Sequence, residues 1–70
     1  MNIIIESHLK SVREAKGISV RELARLTNMS KTNLSNIENN HKIPNLYTLC
    51  LIAAVLSVPP EALYSYKVIK

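Results

Sequence analysis

Apolar and polar residues follow a helical spacing in the middle of the chain, most clearly over residues 31–39. Leu34 and Ile37 lie three positions apart and therefore share one side of a helix. The opposite side carries the polar residues Lys31, Thr32, Ser35, Asn36 and Asn39. A helix that is buried on one side, with short hydrogen-bonding side chains and one cation on the other, matches the chemistry of base edges and phosphates in a major groove.

Capping signals separate this polar helix from an earlier one. Ser19 and Glu22 form an S-x-x-E capping box, which predicts a helix over about 20–27. Asn28 is suited to a positive φ, and Ser30 then offers an N-cap oxygen for the polar helix. The chain therefore predicts two short helices joined by a tight turn. Their seam is expected at Leu23, Ala24, Met29, Leu34 and Ile37.

Glycine and proline positions predict three more helices. Gly17 is the natural left-handed stop for a first helix over about 6–16. The apolar segment 45–56 follows a proline and predicts the most buried helix. Pro60 suits a first helical position, so a short fifth helix is expected over about 60–64. The stripe of the fourth helix expected to face the core is Leu46, Leu49, Ala53 and Leu56.

Surplus apolar residues remain on the fourth helix and at both ends of the chain. A second stripe, Tyr47, Leu51 and Val55, either packs under the chain ends or forms a dimer interface, because a two-fold partner would cover such a surface. The apolar ends 1–5 and 65–70 alternate only weakly. Each end is therefore either a frayed strand or an apolar arm.

The composition is that of a small globular protein with a basic charge balance. Seventy residues predict one domain, which buries only ~60% of its unfolded surface. Nine Lys and Arg against five acids give a formal charge of +4 and a pI of about 9.5, which is weak evidence for a polyanionic partner. A single cysteine and the lack of an export segment predict a cytoplasmic protein. The longest apolar run, 49–56, is far shorter than the ~20 residues that span a bilayer.

No residue pattern predicts catalysis or metal binding. His8, His41 and Cys50 lack the paired spacings of zinc sites, and Cys50 is expected to be a small core residue. The sequence has no glycine-rich phosphate loop, no nucleophile elbow and no carboxylates expected to face each other. We therefore expect a protein that is not an enzyme and that has no cofactor, metal or small-molecule ligand.

The order of these segments resembles the Cro and phage-repressor type of helix-turn-helix family, also called Xre-like. The resemblance covers nearly the whole chain through LKSVREAKG, S-x-x-E-L-A, the turn NMS, KTNLSNIEN and the proline-led LYTLCLIAAVLSVPPEAL. It implies an all-α fold, a compact five-helix bundle of the lambda-repressor-like type, in a single domain over 1–70 with its helix-turn-helix at 20–39. Proteins of this type dock as dimers on two half-sites about one helical turn apart.

The same resemblance implies roles for individual residues. Lys31, Thr32 and Asn36 fall where the family places residues that reach base edges, and Ser35 is a weaker candidate. Positions near phosphate contacts, which fix register without carrying sequence information, are Ser30, Asn33, Asn39, His41 and Lys42. The family often has a buried ion pair at the positions of Arg13 and Glu38.

Three residues depart from the family pattern. Val20 replaces a glutamine that commonly reaches a phosphate, and Arg21 beside it is a candidate to compensate through its charge. Asn28 and Asn40 replace glycines, and asparagine is a tolerated substitute at a positive φ.

Together these features predict a sequence-specific DNA-binding transcriptional regulator. In a chain this short, repression by occlusion is expected, by a homodimer on a palindromic operator of double-stranded DNA. The alternative is a protein-interaction module, such as an antitoxin-like or regulatory partner, that keeps the fold and binds another protein through the second apolar stripe.

Overall fold

Four α-helices and a two-stranded antiparallel sheet make up the fold, which a computed structural model describes for all 70 residues. In chain order the elements are β1 (Asn2–Ser7), α1 (Leu9–Ala15), α2 (Val20–Thr27), α3 (Lys31–Glu38), α4 (Leu46–Leu56), a 3-10 turn (Pro60–Leu63) and β2 (Tyr64–Ile69). No helix has the length and apolar character needed to cross a membrane.

The prediction of an all-α five-helix bundle is wrong, because the two ends of the chain pair with each other as strands. The register runs from Asn2 opposite Ile69 to Ser7 opposite Tyr64. Helix α1 begins at Leu9, later than expected, since the residues before it belong to β1. β-branched and aromatic residues dominate both ends, and they suit a pleated strand better than a helix. The fold is therefore α+β.

The predicted fifth helix is only a four-residue 3-10 turn, Pro60–Leu63. The backbone carbonyl of Leu63 accepts a hydrogen bond of 2.8 Å from the N–H of His8. Tyr64 is already extended, at φ −153° and ψ 160°. A carbonyl bonded to the start of α1 and an extended next residue leave no continuation for a helix, so the chain enters β2 instead.

The hydrophobic core lies between the four helices and the 3-10 turn. Its buried members are Leu9, Leu23, Leu34, Ile37, Ile52, Ala53, Leu56 and Leu63. Ala24 and Met29 pack against this cluster, which agrees with the predicted seam between α2 and α3, and Leu49 of α4 packs against it as well.

Two predictions about α4 are wrong. Leu46, expected in the core, is 74% exposed because it is the first residue of the helix and precedes the buried turns. Cys50 is also exposed. The side of α4 that faces the core carries Ile52, Ala53 and Leu56. Leu49 packs against the core, and Cys50, the next residue, points about 100° around the helix from it, toward solvent.

Candidate nucleic-acid interface

The helix before the turn, α2, begins at the predicted cap. The side chain of Ser19 accepts a hydrogen bond of 3.0 Å from the backbone N–H of Glu22. The reciprocal half of the capping box is absent, because the Glu22 carboxylate instead accepts hydrogen bonds from the Arg25 guanidinium. One local hydrogen bond is therefore sufficient to fix the start of α2.

The turn between α2 and α3 is held by backbone and cap hydrogen bonds. Asn28 adopts the left-handed conformation predicted for it, at φ 57° and ψ 31°. The N–H of Met29 then donates to the carbonyl of Ala24 at 3.1 Å. The side chain of Ser30 accepts a 3.0 Å hydrogen bond from the N–H of Asn33, which starts α3. The turn thus fixes the angle at which α3 leaves α2.

Helix α3 has one buried side and one open side, as its sequence predicts. Leu34 is fully buried and Ile37 is 4% exposed, and both belong to the core. On the other side, Lys31 and Thr32 are exposed, while Ser35 and Asn36 are half-buried. None of these four polar side chains makes a hydrogen bond within the chain. Their donors and acceptors are therefore free to meet an external partner.

A buried ion pair anchors the end of α3. The Arg13 guanidinium donates to both carboxylate oxygens of Glu38, at 2.7 and 3.3 Å, and to the carbonyl of Ile18 at 2.9 Å. The two side chains are only 10% and 6% exposed. The hydrogen bond with Glu38 raises the pKa of Arg13 above its ordinary value. The structure thus brings together the two residues that the family resemblance paired.

This pair also removes the one carboxylate of α3 from the surface. Glu38 is the only acidic residue between Glu22 and Glu61, and its carboxylate is turned inward onto a cation. Lys31 and Lys42 in the same stretch are exposed. The turn, α3 and the following loop therefore present positive charge with no exposed carboxylate, a surface suited to phosphates.

Two of the predicted phosphate-contacting residues lie together after α3. The ammonium group of Lys42 donates a 2.7 Å hydrogen bond to the side-chain carbonyl of Asn33. The loop folds back because the N–H groups of His41 and Lys42 both donate to the carbonyl of Asn36. The structure leaves Asn39 and His41 exposed, and it leaves Arg21 exposed in the first turn of α2.

The departures from the family pattern have different structural consequences. Val20 is the first residue of α2 and is half-buried, so it contributes packing and no polar group. Asn40 adopts φ 63°, and its side-chain carbonyl accepts a 2.7 Å hydrogen bond from the N–H of Ser7. This contact joins the loop after α3 to β1, and it could not be predicted from the sequence because its partner is 33 residues away.

The predicted second stripe of α4 is only partly available to a partner. Tyr47 is 77% exposed. Leu51 and Val55 are half-buried, and Val55 packs against the core. The structure therefore offers Tyr47 alone of this stripe as a fully exposed residue.

Comparison with known proteins assigns the family. The helix-turn-helix family model HTH_3 matches residues 9–63. The chain belongs to this family, as its motifs indicated. It is 40% identical over 55 residues to the HTH-type transcriptional regulator SutR of Escherichia coli K12. That match covers 79% of this chain and 31% of SutR, so the chain spans less than a third of that relative.

Solved structures extend the similarity to the three-dimensional fold. SinR, a protein of Bacillus subtilis, has been solved in complex with DNA, and it matches with a TM-score of 0.69 at 38% identity over 74% of this chain and 84% of the SinR chain. A crystal structure of a protein from Bacteroides fragilis matches with a TM-score of 0.83 at 27% identity over 89% of this chain and 100% of that one.

Proposed function

We propose that this chain is a sequence-specific DNA-binding transcriptional regulator that inserts α3 into the major groove. The observation that carries the proposal is the open side of α3. Lys31, Thr32, Ser35 and Asn36 have no hydrogen-bond partner within the chain, and Glu38, the only acid of α3 and its flanking loops, is buried against Arg13. Membership of the helix-turn-helix family supports the same function.

Within this proposal, each group of residues has a distinct role. Asn suits adenine and Lys suits guanine among base edges, and Thr and Ser are less selective. Lys31, Thr32, Ser35 and Asn36 would therefore contact bases. The residues that would hold phosphates are Arg21, Ser30, Asn33, Asn39, His41 and Lys42. The backbone N–H groups of Lys31 and Thr32 precede the Asn33 N–H that Ser30 caps. N–H groups in the first turn of a helix have no partner within the helix, and they attract anions such as phosphates.

The proposed regulator acts as a homodimer in the cytoplasm and represses by occluding a palindromic operator. A two-fold protein matches a two-fold site, because each recognition helix then meets an equivalent half-site. Tyr47, with Leu51 and Val55 beside it, is one candidate surface for the second copy.

A salt titration of DNA binding tests the function. The logarithm of the association constant for random duplex DNA should fall linearly with the logarithm of the salt concentration. The slope is about −0.9 for each phosphate that the protein neutralises. Several contacts are expected from the basic residues around α3, so we expect a slope of roughly −3 or steeper. A flat response would instead favour a protein-interaction module that keeps the fold without strong DNA binding.

A further inference from the structure

The loop between α3 and α4 carries two of the residues proposed to hold phosphates, His41 and Lys42, and both are exposed. The backbone N–H groups of these two residues donate to the carbonyl of Asn36, at 2.8 and 3.1 Å. The Lys42 ammonium also reaches α3, where it donates to the side-chain carbonyl of Asn33. These hydrogen bonds attach the loop to one neighbour only, the helix that it follows.

One further hydrogen bond attaches the loop to a second part of the molecule. The side-chain carbonyl of Asn40 accepts a 2.7 Å hydrogen bond from the backbone N–H of Ser7, at the end of β1. All other hydrogen bonds of residues 39–45 stay within the loop, α3 or α4. The hydrogen-bonded connection between the loop and the sheet therefore depends on the side chain of Asn40.

The Ser7 N–H is available for this contact because it lies outside the ladder between β1 and β2. Hydrogen-bonded and non-hydrogen-bonded pairs alternate along antiparallel strands. The N–H of His8 donates to the carbonyl of Leu63, so the N–H of the preceding residue, Ser7, points away from β2. Ser7 is also attached to the core, because its hydroxyl oxygen accepts a 3.2 Å hydrogen bond from the N–H of Leu9, which is 1% exposed.

Position 40 requires a left-handed backbone, and asparagine adds a side-chain contact to it. The φ of Asn40 is 63°, a conformation that glycine adopts without strain. Glycine, the residue of the family pattern at this position, would therefore fit the backbone. It has no side chain to reach Ser7, so only the asparagine gives the loop its second attachment.

We propose that Asn40 is a positioning residue for DNA binding, which holds His41 and Lys42 where they contact phosphates through its hydrogen bond to Ser7. The role rests on the proposed function and extends it to a residue that acts through its neighbours. An exposed loop attached on one side only opens more readily, and the fraction of molecules with a binding-competent loop sets the apparent affinity. One hydrogen bond changes such a population by about 3- to 10-fold.

Asn40→Gly tests the role, because it removes the side-chain amide and suits the same backbone conformation. Fluorescence anisotropy should show the dissociation constant for a random-sequence duplex rising about 3- to 10-fold. The loss should be equal on a duplex selected for tight binding, because phosphate contacts carry no sequence information. Amide hydrogen exchange without DNA should show the Ser7 N–H exchanging faster than in the native chain.

A second background separates positioning from a direct contact or a general loss of stability. A chain with both His41→Ala and Lys42→Ala lacks the loop contacts that Asn40 is proposed to position. In that background, Asn40→Gly should change DNA affinity less than ~2-fold, because the two effects are coupled. A loss as large as in the native background would overturn the proposal, since Asn40 would then act independently of the loop side chains.

Ser7→Pro tests the same hydrogen bond from its donor side and leaves Asn40 in place. Proline lacks the N–H, and strands tolerate it where that group faces away from the ladder. The matched control is Ser7→Ala, which removes the hydroxyl and keeps the N–H. Ser7→Pro should weaken DNA binding as Asn40→Gly does and Ser7→Ala less than ~2-fold, with circular dichroism verifying that each variant folds.

The outcomes distinguish this role from the function on which it rests. A native chain that binds duplex DNA, with unchanged affinity in Asn40→Gly, would overturn the role of Asn40 alone. Equal losses for Ser7→Pro and Ser7→Ala would overturn it as well, because the N–H would then be irrelevant. A native chain that does not bind duplex DNA would overturn the proposed function, and the role of Asn40 with it.

Discussion

Glu38 illustrates how much of this molecule depends on one side chain. Its carboxylate accepts two hydrogen bonds from Arg13 in a nearly closed environment. Glu38→Gln would leave the Arg13 charge buried without its counter-ion, which typically costs about 3–5 kcal/mol. We expect urea denaturation to show a loss of unfolding free energy of this size, a large share of the total for so small a domain.

The exposed pair in α2 provides the control for this substitution. Glu22 and Arg25 are 42% and 70% exposed in their side chains, so water and salt screen their interaction. Glu22→Gln should lower the unfolding free energy by less than about 1 kcal/mol. Losses of similar size for Glu22→Gln and Glu38→Gln would show that burial does not govern the strength of the Arg13 pair.

The residues with positive φ show how far a residue type alone predicts its backbone conformation. Asn28 and Asn40 were expected in the left-handed region, and both adopt it. Ser57 adopts φ 57° as well, and no property of serine predicts this conformation. The angle belongs to the end of α4, where the N–H of Val58 donates to the carbonyl of Ala53 while the Val58 side chain packs against the core. A residue type predicts a backbone angle only where local chemistry determines it.

At the scale of elements, the helices with strong caps were predicted best. The expected segments 20–27 and 31–39 match α2 and α3 to within a residue, because Ser19 and Ser30 form hydrogen bonds three residues along the chain. For each end of the chain, the sequence could not decide between a strand and an apolar arm, because the two paired strands lie at opposite ends of the sequence. The weak alternation of apolar and polar residues in one strand does not indicate which other segment pairs with it.

Ser30 allows the capping and DNA-binding roles of the start of α3 to be separated. Aspartate is as good an N-cap as serine and interacts favourably with the helix dipole. Ser30→Asp should therefore keep the unfolding free energy within about 0.5 kcal/mol of the native value. The same carboxylate would repel a phosphate at this position, so we expect affinity for duplex DNA to fall roughly 10-fold.

Ser30→Ala is the matched comparison, because alanine removes the cap and adds no charge. It should cost about 1 kcal/mol of stability, with a smaller effect on DNA binding than Ser30→Asp. Thermal unfolding and fluorescence anisotropy with a labelled duplex measure the two quantities. Unchanged DNA affinity in Ser30→Asp would place the start of α3 away from the phosphates.

At the scale of the whole molecule, the helices and the two-stranded sheet of β1 and β2 differ in burial. The helices enclose the core, whereas no residue of the two strands is buried. The sequence predicted which side of α3 is buried and which is open, because the apolar and polar residues repeat along this helix. It did not predict that the Asn40 side chain, just after α3, accepts a hydrogen bond from Ser7 of β1. That contact forms only when the whole chain is folded, because its two residues are 33 positions apart.

The charge distribution over the whole molecule follows from burial as much as from composition. A formal charge of +4 is modest, but Glu38 is withdrawn from the surface and the nearest other acids along the chain are Glu22 and Glu61. Composition alone could not indicate which acid is buried. The structure therefore makes the basic character of the α3 surface clearer than the sequence did.

The most direct test of base recognition by α3 compares Asn36→Ala with Lys42→Ala on two duplexes, one selected from a random pool and one of random sequence. We expect Asn36→Ala to lose about 1–3 kcal/mol of binding free energy on the selected duplex and almost none on the random one. Lys42→Ala should weaken both duplexes alike, as a phosphate contact does. Equal losses on the two duplexes for Asn36→Ala, or no loss on either, would contradict recognition of bases by this helix.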